Sequence, residues 1–345
     1  MATIPHSRSG LFTVFENEED EKRYYNSATS FSSITKCGVP WSSLDVPPAE
    51  PIACTGSGII FKGRYGTTPV VLKVMQSSQL KTQKCFKKLL GLDHPNIVRF
   101  YGICIDDNLI SSKHVSLIIS YCSKGDLMRK IAHNRPLKRS NFLKWMQQTA
   151  DGMAYLHRQC IAHRNLKPQK LLLDEEQNVR ISGFALCKEL KGANGDTFCG
   201  TALYMAPEIA AGCKHSIKVD VWSYGVVLRE MLTQVHPYAP RNTVSIVLEL
   251  GDIGTKKRWP DTFPLLPPSD CPTKLAELIR QCLAANYHER PSFDDILNMT
   301  KEIEDEISKI DDDEWNSKKK SWRSMARRGF CYFLNAFRLL ITLAK

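Results

Sequence analysis

The residues best suited to chemistry in this sequence lie in two short segments, His163–Lys170 and Gly183–Ala185. The first reads His-Arg-Asn-Leu-Lys-Pro-Gln-Lys and the second reads Gly-Phe-Ala. Their guanidinium and ammonium groups could contact an anion, whereas proton transfer and the binding of a hard cation usually require a carboxylate. Neither segment contains Asp or Glu. The residue types therefore indicate a site that can meet anionic groups and is poorly equipped for acid–base or magnesium chemistry.

The elements that must position these segments change in character along the chain. Runs of β-branched residues broken by Gly predict strands, and apolar residues at helical spacing predict helices. The predicted strands are Ile59–Phe61 and Val70–Val74, joined by a turn at Tyr65–Pro69, and Val115–Ser120. The predicted helices are Phe142–His157, Lys218–Leu232 and Thr273–Leu283. Strands first and helices later predict a small sheet-rich lobe followed by a larger helical lobe.

Several landmarks in register resemble the protein kinase superfamily over roughly residues 45–305. They are His94–Val98, Tyr204–Glu208 with its A-P-E motif, Asp220–Gly225 and Arg290. Lys167 is typical of the serine/threonine and tyrosine-kinase-like groups. Among pseudokinases, the sequence most resembles the mixed-lineage kinase domain-like proteins. The resemblance implies an α+β, bilobal protein-kinase-like fold. Its N-lobe would be a small antiparallel β-sheet with one helix, and its C-lobe would be larger and helical.

Against that family the two segments lack the groups that transfer phosphate. The catalytic loop of kinases reads H-R-D-x-K-x-x-N, and the metal-binding triplet reads D-F-G. Asn165 stands where the proton-accepting Asp would be, Lys170 where a metal-binding Asn would be, and Gly183 where the metal-binding Asp would be. The resemblance therefore implies that no catalytic residue and no metal site is intact, which is typical of a pseudokinase.

The upstream landmarks are also degraded. Lys73 is retained, but no Asp or Glu occurs between residues 51 and 92, so its usual Glu partner is missing and Cys85 is the predicted occupant. Of the three loop-glycine positions, filled by Ala53, Thr55 and Gly58, only the third holds glycine. The family implies an ATP site lined by Lys73, Val71, Ser120, Cys122, Leu172 and Lys170, in which Val71 narrows the adenine pocket.

The retained family residues have architectural roles. His163 and Phe184 would continue a hydrophobic spine, and Asp220 would anchor the catalytic-loop backbone. Glu208 and Arg290 would form a buried ion pair.

Two questions about the site stay open at this stage. Lys73 and Lys170 could together neutralise ATP without magnesium, or Lys170 could be a surface lysine tolerated after the metal site was lost. The rival to a pseudokinase is an atypical active serine/threonine kinase that rebuilds metal binding from Asp174, Glu175 or Glu176.

The segment from Leu186 to Met205 corresponds to an activation loop. Thr197 and Thr201 are predicted phosphorylation sites, and Arg164 is placed to meet a phosphate.

Composition excludes some classes of function. The twelve cysteines form no zinc-spaced cluster, and the N-terminus has no stretch typical of a signal peptide, which together favour a cytosolic protein. Eight of the 47 Lys and Arg lie in residues 318–345, which leaves 39 bases against 36 acids in residues 1–317, a net charge of about +3 there. We therefore expect no nucleic-acid binding by the main domain.

The ends of the chain are predicted to differ from the domain. Residues 1–44 read as a flexible polar leader, 306–317 as an acidic linker and 318–345 as a basic amphipathic helix. That helix, with Trp322, Phe333 and Phe337 beside its bases, would lie on an anionic membrane surface or dock on the helical lobe or a partner. The whole chain is predicted to be a cytoplasmic, peripherally membrane-associated signalling scaffold or allosteric regulator, whose partners include active kinases.

Overall fold

The architecture is described from a computed structural model of the chain. It covers residues 38–47, 50–55, 58–76, 86–104, 114–132, 136–190, 199–238, 242–259 and 265–343, without the side chains of 86, 87, 114 and 328–343. The chain divides into two compact units. The sheet unit comprises Met1–Asp93 and Val98–Tyr121, and the helical unit comprises His94–Ile97 and Cys122–Lys345.

The sheet unit is an antiparallel sheet of six strands. They are β1 (Leu44–Asp45), β2 (Ala53–Thr55), β3 (Gly58–Tyr65), β4 (Thr68–Gln76), β5 (Phe100–Cys104) and β6 (His114–Ser120). The order is β1-β3-β4-β6-β5, with β2 also pairing with β3. The three predicted strands are confirmed, but the turn between β3 and β4 is shorter than predicted. Tyr65 pairs with Thr68, so only Gly66 and Thr67 form the turn.

Alternation along β4 separates a core face from a second face. Val70 and Leu72 are buried in a cluster with Phe61 and Ile118. Because successive residues of a strand point to opposite faces, Val71 and Lys73 share the other face. One helix, α1 (Phe86–Leu90), belongs to this unit.

Gly58 starts β3 in a conformation that only glycine adopts readily. Its φ is +138°, and a Cβ there would lie 2.3 Å from the Val74 carbonyl oxygen. The one surviving glycine of the predicted phosphate loop is therefore required by the sheet itself.

The helical unit is built around one wholly buried helix. Its helices are α2 (Leu127–Ala132), α3 (Arg139–Arg158), α4 (Pro207–Ala210), α5 (Val219–Thr233), α6 (Thr243–Lys256), α7 (Thr273–Cys282), α8 (Phe293–Ile307) and α9 (Asp312–Leu343). Every residue of α5 is buried. The Tyr224 hydroxyl on α5 donates to the Met146 carbonyl on α3 at 2.9 Å, which ties the two central helices together.

Two short pairs of antiparallel strands position the segments that could do chemistry. β7 (Ile161–Ala162) pairs with β10 (Lys188–Glu189), and β8 (Leu171–Leu173) pairs with β9 (Val179–Ile181). The first segment runs from the end of β7 to the start of β8, and the second follows β9. Both segments are therefore held at fixed ends by hydrogen-bonded strands.

The predicted ion pair between Glu208 and Arg290 is confirmed. The guanidinium donates to both carboxylate oxygens, at 2.7 and 2.8 Å, and both residues are buried. Removing either partner would leave a buried charge without compensation.

The C-terminal region departs from its predicted organisation. Residues 306–317, predicted to be a linker, contain the end of α8 and the start of α9. Trp315, Lys319 and Trp322 of α9 are fully buried against the helical unit. Of the two alternatives predicted for Trp322, a membrane surface or docking on the helical lobe, the structure shows docking, since its indole N–H donates to Asp270 at 2.8 Å. None of the described helices is long and apolar enough to cross a membrane.

Candidate functional site

Asp220 holds the backbone of the catalytic-loop segment, as predicted. Its two carboxylate oxygens accept from the backbone N–H groups of His163, at 2.8 Å, and Arg164, at 2.7 Å. Arg164 has a φ of +59°, a conformation that costs a non-glycine residue about 1–2 kcal/mol. Asp220 is fully buried beneath this strained turn and stabilises it.

His163 links the two segments as a neutral imidazole. Its Nδ1 accepts from the Asn165 backbone N–H at 3.2 Å, so its Nε2 carries the proton and donates to the Ser182 carbonyl at 2.8 Å. Burial lowers its pKa from the ordinary value, in agreement with the neutral form. Its ring also contacts that of Phe184, with centroids 5.3 Å apart. The two residues predicted to continue a hydrophobic spine are thus in contact with each other within the helical unit.

Asn165 is one end of a series of side-chain hydrogen bonds that reaches the activation-loop segment. The Lys167 ammonium donates to the Thr201 hydroxyl at 2.7 Å, and that hydroxyl donates to the Asn165 amide oxygen at 3.1 Å. The hydroxyl of Thr201, predicted to be phosphorylated, is therefore already engaged by two side chains. Asn165 is held as a hydrogen-bond acceptor but, being an amide, cannot take up a proton in the physiological range.

Lys170 and Gly183 fit against each other. A Cβ placed on Gly183 would lie 2.5 Å from Lys170 Cδ and 3.0 Å from both Cγ and Cε, so the lysine methylenes cover the bare Cα. The backbone keeps them together, because the Lys170 carbonyl accepts from the Ser182 N–H at 2.8 Å and from its hydroxyl at 3.0 Å. Gly183 has a φ of +89°, which favours glycine further. The space in which a metal-binding side chain would begin is filled by Lys170.

The electrostatics of the loop are those of a cationic site. Burial lowers the pKa of the Lys170 ammonium, and the Asp126 carboxylate acts in the opposite direction. Burial also lowers the pKa of Lys167, and the nearby charge of Lys170 lowers it further. Two neighbouring ammonium groups that are partly removed from water favour an anion as their partner.

Two of the three acids proposed to rebuild a metal site, Asp174 and Glu175, are hydrogen-bonded to other residues. Asp174 accepts from the Asn178 backbone and from Arg180, and burial is outweighed by these bonds so that its pKa is lowered. Glu175 accepts from Ser123 and Lys124, both at 2.5 Å. Within the described ranges, no three His, Cys, Asp or Glu side chains are grouped so as to hold a metal ion.

The six residues predicted to line an ATP site belong to both units. Lys73 and Val71 lie on one face of β4, and Ser120 ends β6, where its hydroxyl accepts from the Arg99 N–H at 3.1 Å. In the helical unit, Lys170 immediately precedes β8, Leu172 lies on β8, and burial raises the pKa of the Cys122 thiol to about 12. Cys85 and Thr197 lie outside the described residues.

Two buried side-chain nitrogens near the loop have no hydrogen-bond partner, one on Arg164, which is predicted to meet a phosphate, and one on His215, which the sequence argument missed. Arg164 Nε donates to the Leu186 carbonyl at 2.8 Å, but its Nη1 is buried with no hydrogen-bond partner. His215, buried between α4 and α5, likewise has an unpaired Nε2. Burial lowers the pKa of His215, and the charge of Arg164 lowers it further. No sequence motif around His215 predicts that its Nε2 is buried and unpaired.

Comparison with known proteins agrees with the fold and the motifs. The family model of the protein kinase domain matches residues 56–300. The chain is 30% identical over 326 residues to mitogen-activated protein kinase kinase kinase dlk-1 of Caenorhabditis elegans, covering 93% of this chain and 33% of that protein. It is 34% identical over 241 residues to mitogen-activated protein kinase kinase kinase 12 of Rattus norvegicus, covering 70% of this chain and 25% of that protein. The chain thus spans a third or less of these relatives.

Proposed function

Because this chain belongs to the protein kinase family, we propose that it is a pseudokinase, a kinase domain that has lost phosphate transfer and acts as a scaffold or allosteric regulator in signalling. The single observation that carries the proposal is the fit of Lys170 over Gly183. It removes the side chain that would hold the metal and puts a cation in its place. The relatives are named as kinases, which supports the family, whereas the loss of phosphate transfer is argued from residues of this chain alone.

The remaining site residues support the same proposal. Phosphate transfer depends on positioning and on neutralising the phosphates, with a metal ion between them and an acid or amide that orients the acceptor. Asn165 is tied to Thr201, and two of the acids considered for a rebuilt metal site, Asp174 and Glu175, are paired with Arg180 and Lys124. By contrast, the scaffold contacts of Asp220, Glu208 and Arg290 are complete. Radiolabelled phosphate transfer by the purified protein, with Lys73→Ala as the control, tests the loss.

We propose that the domain still binds ATP, the nucleotide that its family uses, and that it does so without magnesium. The partly buried ammonium groups of Lys167 and Lys170 support this, because an anion would relieve their mutual repulsion. Thermal-shift titration with ATP in EDTA should show stabilisation that Lys170→Ala removes and that Lys301→Ala, an exposed control, keeps. The absence of a shift in every buffer would contradict the idea.

The regulatory proposal concerns the spot formed by Arg164 and His215. A phosphate on the activation-loop segment, at Thr197 as predicted, would accept from the unpaired Nη1 of Arg164, and its charge would favour a protonated His215 whose Nε2 then donates to it. Thr201 is the weaker candidate, because its hydroxyl is engaged. A phosphosite map of protein from cells, repeated with Arg164→Ala, tests it. Finding neither threonine modified would remove the proposal.

The partner proposals follow from the family and from the tail. Relatives named as kinases of a phosphorylation cascade favour partners that are signalling proteins, which proximity labelling would identify. We limit the proposed membrane-binding segment to residues 328–345, because Trp315 and Trp322 are already buried within the domain. Flotation with anionic liposomes, with and without residues 328–345, tests that contact, and equal binding by both proteins would exclude it.

A further inference from the structure

Asn165 presents hydrogen-bond donors at the position where the family has an acid. Its amide oxygen accepts from the Thr201 hydroxyl at 3.1 Å, so its amide N–H groups are directed away from that hydroxyl. No described residue accepts from these N–H groups. A carboxylate at this position would carry a negative charge and only accept, whereas Asn165 is neutral and offers N–H donors.

Lys167 brings an ammonium group to the same hydroxyl. It donates to the Thr201 oxygen at 2.7 Å, so the side chains of Lys167 and Asn165 both end within hydrogen-bond reach of one oxygen atom. An ammonium group has three N–H donors, and Thr201 takes one of them. The remaining donors of Lys167 have no acceptor among the described residues. The two side chains therefore form a group of donors beside Thr201.

Lys170 adds a second ammonium group through a turn of the backbone. Its N–H donates to the Lys167 carbonyl at 2.8 Å, which closes the turn and keeps the two Cα atoms within about 7 Å. Its methylenes lie over Gly183, and its ammonium group donates to no described residue. We call Asn165, Lys167 and Lys170 the donor cluster.

No described carboxylate forms an ion pair with either lysine of the donor cluster. Asp126 is the acid whose charge acts on Lys170, but its carboxylate accepts from the Arg129 backbone N–H at 3.0 Å and lies 3.9 Å from Arg129 Nε. Asp220 is fully buried, and its oxygens accept from backbone N–H groups. The positive charge of the donor cluster is therefore not balanced by an acid of the described helical unit.

A phosphorylated side chain has the complementary chemistry. A phosphomonoester carries a charge of about −1.5 to −2 at neutral pH and three strong acceptor oxygens. The donor cluster can supply charge-assisted hydrogen bonds to such a group, and its two ammonium groups match the charge. A carboxylate at position 165 would repel the phosphate, and Asn165 removes that repulsion while adding donors.

We propose that the donor cluster binds a phosphoserine or phosphothreonine side chain of a partner protein, so that the domain recognises the product of another kinase. The inference rests on the proposed loss of phosphate transfer, because a kinase must release its phosphorylated product. All three residues of the cluster belong to the helical unit. Free phosphate shares the chemistry of the phosphorylated side chain, so the test compares the two sources.

The test is fluorescence polarisation of the full-length chain in EDTA with three fluorescein-labelled peptide libraries. The libraries have random flanks and differ only in the central residue, which is phosphoserine, serine or aspartate. We expect the phosphoserine library to bind at least tenfold more tightly than the other two. Asn165→Asp and Lys170→Ala should each weaken its binding at least tenfold, whereas Lys301→Ala, on an exposed lysine elsewhere, should leave it unchanged.

Three results would overturn the proposal. One is equal binding of the three libraries. Another is unchanged binding by Asn165→Asp, a variant that keeps an acceptor for Thr201 and whose fold is checked by its melting curve. The third is displacement of the phosphoserine library by an equal concentration of inorganic phosphate, which would indicate a site for free anions only. None of these results would restore phosphate transfer, which the radiolabel experiment measures separately.

Discussion

Lys170 and Gly183 act as a pair, and the pairing accounts for why both depart from the family pattern together. Glycine is required at position 183 by its φ of +89° and by the lysine methylenes that lie where a Cβ would be. The lysine, in turn, covers a Cα that would otherwise be open. Restoring the family residue at only one of the two positions would therefore bring it against the residue that remains at the other.

This pairing predicts non-additive stability. Gly183→Ala should lower the free energy of unfolding by about 1–2 kcal/mol, because alanine is strained at this φ and contacts Lys170. In a Lys170→Ala background, Gly183→Ala no longer meets the lysine side chain and should cost less. A double-mutant cycle measured by urea unfolding should therefore give a coupling free energy of about 0.5–1 kcal/mol between the two positions. Strictly additive losses would show that Lys170 does not fill the space over Gly183.

A second residue-scale prediction concerns Glu230, which is buried on α5 and accepts from the Tyr204 hydroxyl at 2.7 Å. Burial raises its pKa to about 7. An acid whose pKa is raised by folding stabilises the fold most below its unfolded pKa near 4.5, and this stability is lost as pH rises towards 7. Above that the contribution is constant.

Glu230→Gln should remove this pH dependence while keeping an oxygen for Tyr204. Relative to the native protein, the variant should gain up to about 3 kcal/mol of unfolding free energy between pH 5 and pH 8. Urea unfolding at both pH values measures it, with Glu302→Gln, an exposed carboxylate, as the control. An unchanged difference across this range would mean that Glu230 is ionised in the fold.

At the scale of elements, α9 is part of the domain for its first half. The Lys319 ammonium donates to the Met231 and Leu232 carbonyls, at 2.5 and 2.6 Å, where α5 ends. Those carbonyls lack intrahelical partners, and the helix dipole favours a cation there. Burial nevertheless lowers the pKa of Lys319 well below its usual value. The indole N–H of Trp315 donates to the Leu137 carbonyl at 2.9 Å, which adds a second anchor.

Two truncations separate the halves of α9. A chain ending at Arg327 should keep the unfolding free energy of the full chain within about 0.5 kcal/mol. A chain ending at Ile310 loses two fully buried tryptophans, each worth about 3–5 kcal/mol when truncated to alanine, and should not fold stably. Thermal unfolding monitored by circular dichroism compares them. Equal melting temperatures would show that α9 is not a structural element.

The sequence predicted regular elements well and the contacts of the site poorly. Periodicity located α3, α5 and α7 to within three residues at each end, because their apolar stripes face a core. The sequence does not distinguish docking of α9 from a membrane contact, because nothing in the pattern around Lys319 shows that its ammonium binds the carbonyls at the end of α5. The contact of Lys170 with Gly183 depends on a φ angle and on a side-chain path that no residue pattern records. The same is true of the bonds joining Asn165, Thr201 and Lys167.

At the scale of the whole molecule, the described residues keep the buried scaffold contacts of the family, whereas Asn165, Lys170 and Gly183 differ from its catalytic pattern. The buried pair of Glu208 with Arg290 and the Asp220 anchor maintain the scaffold around a loop whose acids are gone. A fold can be retained for its surface when its reaction is lost. Binding partners, rather than a substrate, would then account for the function.

The measurement that tests this most directly is transfer of radiolabelled phosphate from ATP to a generic protein substrate and to the protein itself, with magnesium or manganese. The account predicts that the native chain and Lys73→Ala give the same signal as a sample without protein. The triple variant Asn165→Asp/Lys170→Asn/Gly183→Asp provides the comparison in which the missing groups are restored. Transfer by the native chain that Lys73→Ala abolishes would contradict the account.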